Sequence, residues 1–142
     1  MNDGLLDNLV GRWRVERVFA GGKEVANSAT VEWVLDHQFL HIHEVDVASP
    51  PTYEAHVYIG YCHEDKRYVA HWIDVYGGKF SQTLGKGVKD GNSIRFEFAY
   101  PDGMLQNTFA WHPTSETWTC RIEQQDSEGK WGLFLTDRFR QS

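Results

Sequence analysis

Two histidines and one aspartate are the residues of this chain best placed to do chemistry. His41 and His43 stand two apart in Phe39-Leu40-His41-Ile42-His43-Glu44-Val45. A strand sends alternate side chains to the same face, so both imidazoles project together. Asp74 closes the run Tyr68-Val69-Ala70-His71-Trp72-Ile73-Asp74, where it is the one carboxylate among Tyr68, Ala70, Trp72 and Tyr76. An acid on so apolar a face must be paired, protonated or functional. A His–Asp pair, direct or through one water, would keep the imidazole oriented and basic, which suits general acid and base catalysis. His43, Asp74 and His41 are therefore the catalytic candidates. The competing expectation is a buried polar cluster satisfied by tyrosine hydroxyls, Ser81 and Thr83.

These residues must be positioned by the stretch from Tyr53 to Tyr76. Two segments rich in aromatic and β-branched residues flank His63-Glu64-Asp65-Lys66, the pattern of a hairpin. Pairing Val57 with Trp72 puts Tyr53, Ala55, Val57, Ile59 and Tyr61 on one face with Tyr68, Ala70, Trp72, Asp74 and Tyr76. The preceding segment is placed by its turn. If Asp36-His37-Gln38 is a three-residue turn, with His37 in a left-handed conformation, Leu35 lies opposite Phe39. Pairing Val45 with Ala55 then puts Phe39, His41 and His43 on the same face as Val57. His43 and Asp74 would lie two strands apart, about 9.6 Å, across the small Ala55.

Downstream, Asp90-Gly91 is the strongest two-residue hairpin signal. It pairs Gly85 with Phe96 and Thr83 with Phe98, and brings Ile94, Phe96, Phe98 and Tyr100 to the inner face. Composition favours Leu105, Asn107, Phe109 and Trp111 inward, whereas a tight turn at Pro101-Asp102-Gly103 would favour Gln106 and Thr108; Trp118, Cys120 and Ile122 form the next inward set. Upstream, Trp13 and Val15 alternate with Arg12 and Arg14. Arg17 shares the Trp13 phase and needs a partner if it is buried. Leu5, Leu6, Leu9 and Val10 suit a short helical plug. About ten short strands at 8–14-residue spacing predict an all-β protein, an antiparallel up-and-down barrel, with a β-sandwich as the competitor.

At 142 residues, with no linker or repeat, the chain reads as a single domain over residues 1–142. Its net charge of −6 and lack of a basic cluster argue against a nucleic-acid partner. No apolar run is long enough to span a membrane, and Met1 to Val10 has no signal-peptide pattern. With only Cys62 and Cys120 there is no disulfide framework and no zinc spacing, so the expected location is cytoplasmic. His-x-His could hold a metal only with Asp74 or Glu32 as a third ligand; no metal is expected.

Gly11-Arg12-Trp13 resembles the opening of calycin-type barrels, the group of lipocalins, fatty-acid-binding proteins and nitrobindin-like haem barrels. Trp33-Val34-Leu35-Asp36-His37-Gln38-Phe39-Leu40, Ile59-Gly60-Tyr61 with Tyr68-Val69, and Trp72-Ile73-Asp74 sharpen the match. In this order they resemble an uncharacterised, mostly bacterial family of small calycin-like barrels, over nearly the whole chain. His37 stands where that family has a turn glycine, and Cys62 where it has aspartate. The resemblance implies a calycin-like barrel, and an Arg138 or Arg140 stacked on Trp13. It implies no haem, because Val15 and Arg17 replace the two glycines of the nitrobindin-like start and no histidine follows His112.

By analogy with such barrels the leading expectation is small-molecule binding, with no cofactor. An apolar or aromatic ligand would lie among Trp33, Tyr61, Tyr68, Trp72, Phe96 and Phe98, its polar end held by His41, His43 and Asp74. One alternative is a cofactor-free lyase, isomerase or cyclase using the His–Asp pair, with Tyr61 or Tyr68 stabilising negative charge. Another is a filled barrel acting as an interaction protein. An outer face carrying Leu40, Ile42, Val69 and Ile73 suggests a homodimer.

Overall fold

The computed structural model describes Met1–Ser142. A short helix α1 (Gly4–Asp7) precedes β1 (Gly11–Phe19), β2 (Glu24–Val34), β3 (Phe39–Asp46), β4 (Glu54–Cys62) and β5 (Arg67–Asp74). A second short helix α2 (Gly78–Ser81) leads to β6 (Gly85–Asp90), β7 (Ser93–Tyr100), β8 (Gly103–His112), β9 (Thr117–Gln125) and β10 (Trp131–Gln141). Every strand pairs antiparallel with its sequence neighbour, and β1 closes the barrel against β10. The expected all-β, up-and-down, ten-stranded barrel with an N-terminal helix is the observed architecture. None of its helices is long and apolar enough to cross a membrane.

The two ends of the barrel differ. The end that carries the β2–β3, β4–β5, β6–β7 and β8–β9 turns is plugged by α1. Leu5, Leu6 and Leu9 are buried there, and Asp3 caps the helix by accepting from the Leu6 amide. Three aromatic side chains tie the plug down. The Trp13 indole donates to the Leu9 carbonyl (2.7 Å), the Trp33 indole donates to Asp7 (2.9 Å), and the Tyr68 hydroxyl donates to Asp3. The opposite end, with the β3–β4 loop and α2, is open. Phe139 meets the Trp13 ring edge-on at 6.4 Å. Arg138 and Arg140 point outward instead of stacking on it, and Arg140 lies 3.8 Å from Glu16.

Most of the expected inner face is present. Val57 pairs with Trp72, and Ala55, Val57, Ile59, Tyr68 and Ala70 are buried. Ile94, Phe96, Phe98, Phe109, Trp118, Cys120 and Ile122 also face inward. Two registers slip by two residues or end early without changing face. The β6–β7 turn is Gly91-Asn92, so Asp90 pairs with Ser93 and Gly87, not Gly85, lies opposite Phe96. Residues 78–81 form α2, so Ser81 and Thr83 never reach the sheet beside Asp74 and Trp72. The wall next to Trp72 is left open at that point.

One register slips by a single residue, and the side-chain period of two makes that decisive. Val34, not Leu35, pairs with Phe39, across a four-residue turn in which Leu35, Asp36 and His37 all take positive φ. Glu44, not Val45, then pairs with Ala55. Leu40, Ile42, Glu44 and Asp46 turn inward, and His41 and His43 turn out. The outer apolar face proposed for a homodimer therefore lacks Leu40 and Ile42, which are buried in the core.

Gly85 and Gly87 provide the space that the large rings of β7 occupy. A Cβ on Gly85 would come within 2.5 Å of the Phe98 ring, and one on Gly87 within 2.6 Å of Phe96. Replacing Gly85 by valine forces Phe98 out of its position, and overpacking of this kind costs about 1–3 kcal/mol. Urea unfolding of Gly85→Val is expected to show that loss, with the slope of the transition unchanged.

Candidate functional site

The open end leads into a cavity of about 670 Å³ inside the barrel, within the range of small-molecule sites. Its walls are mainly apolar: Phe19, Trp72, Phe98, Leu105, Ile122 and Leu135. Phe80 of α2 and Tyr100 meet edge-on at 5.9 Å at the rim, and a Lys79–Asp102 pair at 3.4 Å holds α2 to the β7–β8 turn.

Arg17 stands at the inner end of this cavity. Register places it directly opposite Asp137, where β1 meets β10. Its Nε donates to Asp137 Oδ1 at 2.8 Å and its Nη2 to Asp137 Oδ2 at 2.9 Å, a two-pronged pair. Nη2 also reaches Glu44 Oε2 at 3.1 Å. All three side chains are buried. Burial opposes the Arg17 charge, but the Asp137 hydrogen bond and the charges of Asp137 and Glu44 outweigh it and raise its pKa. Glu44 goes the other way. Burial and the nearby Asp137 push its pKa up to about 7, against the pull of Arg17 and the Asn27 amide. One guanidinium cannot neutralise two buried carboxylates, so Glu44 holds its proton far above the usual carboxylate range.

Tyr53 covers the outer side of Arg17, its ring centroid 5.1 Å from the guanidinium carbon. Its hydroxyl donates to Asp74 (3.2 Å) and accepts from the Trp72 indole (3.3 Å). Burial holds the Tyr53 hydroxyl protonated well above its ordinary pKa. On the far wall the Cys120 thiol donates to Asn107 at 2.6 Å, and burial raises the thiol pKa. Asn27 completes the ring. It is 1% exposed and lines the cavity. Its Nδ2 lies close enough to Glu44 to lower that group's pKa as a hydrogen-bond donor, whereas Oδ1 has no partner.

Of the residues expected at a site, Trp72, Phe98 and Asp74 line the cavity. Trp33 and Tyr61 sit at the plugged end. Trp33 stacks on His37 at 4.2 Å, and Tyr61 meets Tyr68 edge-on at 5.0 Å. Phe96 is core beneath the cavity. His41 and His43 do not share the lumen with Asp74. They are half-buried on the outer surface, where His43 contacts Glu54 at 2.6 Å and His41 contacts His56 at 2.8 Å. Partial burial, then His56 and His43, lower the His41 pKa. The carboxylate that does lie across Ala55 from Asp74 is Glu44. Sequence reasoning missed Glu44, Asp137, Asn27 and Tyr53. Glu44 had no usable signal in its own strand: Leu40, Ile42, Glu44 and Asp46 hold two apolar residues, as do Phe39, His41, His43 and Val45.

Two measurements test the buried cluster. Arg17→Met leaves Asp137 and Glu44 without their cation and is expected to cost about 3–5 kcal/mol in urea unfolding. Glu44 binds a proton in the folded state where the unfolded chain has released it, between its ordinary pKa of 4.5 and about 7. Stability from this group therefore falls as pH rises through that window and stays lower above it. Glu44→Gln removes this contribution, so the variant gains on the wild type in urea unfolding as pH rises from 4.5 to 7.

A family model described as a protein of unknown function, DUF1579, matches residues 3–141. No curated protein matches the chain. Among solved structures, that of Rv2717c from M. tuberculosis superposes with a TM-score of 0.65 at 10% identity, covering 100% of this chain and 99% of the other. At that identity the likeness shows a shared fold. A redesigned β-barrel superposes with a TM-score of 0.40 at 14% identity, covering 97% of this chain and 95% of that one.

Proposed function

Because the chain belongs to the DUF1579 family of proteins of unknown function, we propose its function from the cavity: it binds a small, electrically neutral amphiphile. The observation that carries this is Asn27. A buried amide oxygen without a donor costs about 1–3 kcal/mol. Asn27 borders a cavity large enough for a ligand, and rotation of its buried side chain would bring Oδ1 to a donating ligand group such as a primary amide. The apolar body would lie against Trp72, Phe98, Ile122 and Leu135.

Charge decides against an anion. Arg17 is already engaged by Asp137 and Glu44, so it has no unpaired charge to offer. Asp46 and Asp74 add negative charge to the walls. At the inner end a carboxylate group would be repelled, whereas a neutral polar end would not; the other lining cation, Lys23, is exposed at the rim. The lyase, isomerase or cyclase alternative loses the His–Asp pair it was built on, because no histidine lines the cavity. A filled barrel is at odds with a volume of about 670 Å³. We also read the barrel as calycin-like, of bacterial type and cytoplasmic. The Gly11-Arg12-Trp13 start, the plug at one end, the bacterial Rv2717c fold and the unpaired Cys62 and Cys120 support this.

The test compares straight-chain primary amides with carboxylates of equal chain length by thermal unfolding and calorimetry. Amides are expected to bind and stabilise, by about 2.7 kcal/mol at a hundredfold excess over Kd, and carboxylates are not. Asn27→Leu should erase the preference for the amide. Equal response to both series, or a preference unchanged in Asn27→Leu, would overturn the proposal.

A further inference from the structure

We propose that His43, Glu54 and His56, on the outer face of the barrel, form a binding site for a divalent transition-metal ion of the zinc class, with His41 as the positioning residue. The site is independent of the cavity, which lies on the other side of the same strands.

Backbone register makes the site. His43 and His56 are direct partners across β3 and β4, and Glu54 is two residues from His56 on the same face. The candidate ligand atoms of these three side chains all lie within 4.8 Å of one another. Glu54 Oε2 is 2.6 Å from His43 Nε2 and 3.7 Å from His56 Nε2. A tetrahedral ion with bonds of about 2.1 Å spaces its ligands by about 3.4 Å, so modest side-chain rotation admits one. The His43 and His56 rings lie nearly parallel with centroids 4.3 Å apart, which keeps both Nε2 atoms on the Glu54 side.

The second observation concerns the other nitrogen of His56. Its Nδ1 lies 2.8 Å from His41 Nε2. An outer partner of this kind fixes the ring and its tautomer, as it does for most metal-bound histidines. Tyr58 backs the His41 ring at 4.7 Å, so the orienting residue is itself held. Two imidazoles and one carboxylate suit zinc and its neighbours better than magnesium or calcium, which favour all-oxygen sets. The side chains are 37–46% exposed, so water can complete the coordination. The ion would tie β3 to β4 at the base of the loop that carries Thr52 and Tyr53 to the cavity.

The experiment uses the full chain without an affinity tag. Titration with ZnCl2 in a calorimeter should give one ion per chain, and CoCl2 should give the visible absorption of a low-symmetry N/O site. His43→Ala, Glu54→Gln and His56→Ala should each weaken binding at least tenfold, with far-ultraviolet circular dichroism unchanged. His41→Phe should weaken it about tenfold, while His71→Ala and His112→Ala should leave it unaltered. No binding at millimolar ZnCl2 would overturn the site, as would an affinity unchanged in the three ligand variants. Full affinity in His41→Phe would overturn the positioning role.

Discussion

The barrel closes where its first and last strands meet, and the Arg17–Asp137 pair sits on that seam. The two residues are 120 positions apart in the chain. A guanidinium and a carboxylate facing each other in an apolar interior are costly apart and tolerable only together. Their opposition selects the closed arrangement of the first and last strands, because any slip by one residue would send one charge outward and strand the other inside. Glu44 joins from the third strand and ties a second part of the wall to the same guanidinium.

This cluster also defines what the interior can accept. The single cation at the inner end of the cavity is consumed by two acids, one of which keeps its proton near neutrality because the charge does not suffice for both. The inner end of the cavity therefore presents polarity without free positive charge, and the remaining lining cation, Lys23, is exposed at the rim. Tyr53 screens Arg17 from the open end and hands its hydroxyl to Asp74, leaving the Asn27 amide oxygen as the lining group with unmet hydrogen-bonding capacity. The plugged end has no such openness, since Trp13, Trp33 and Tyr68 each spend their polar atom on the short helix or the residues flanking it.

The outer face carries the chemistry first assigned to the interior. His41 and His43 do stand together, as their spacing required, but with His56 and Glu54 rather than Asp74. The inner partner across Ala55 from Asp74 is Glu44. One residue of register exchanged two imidazoles for a carboxylate in the lumen. The apolar tally of the third strand did not decide its phase, since Leu40 and Ile42 stand with two acids, Glu44 and Asp46, and Phe39 and Val45 with two histidines. The turn pointed the wrong way because three consecutive non-glycine residues, Leu35, Asp36 and His37, adopt positive φ. Such a turn has no compositional signature.

Alternation, turn residues and aromatic content by themselves determined the strands, their antiparallel order and the inner faces of the central and later hairpins, because each of these rests on local patterns within a few residues. They also marked Arg17 as an inward charge in need of a partner. The identity of that partner, the lumen's content of acids and amides, and the exile of the histidines were decided only by the tertiary structure. Closure of a barrel brings residues from both ends of the chain into contact, and the phase of one strand depends on its neighbours on both sides. Neither is written in any short stretch of sequence.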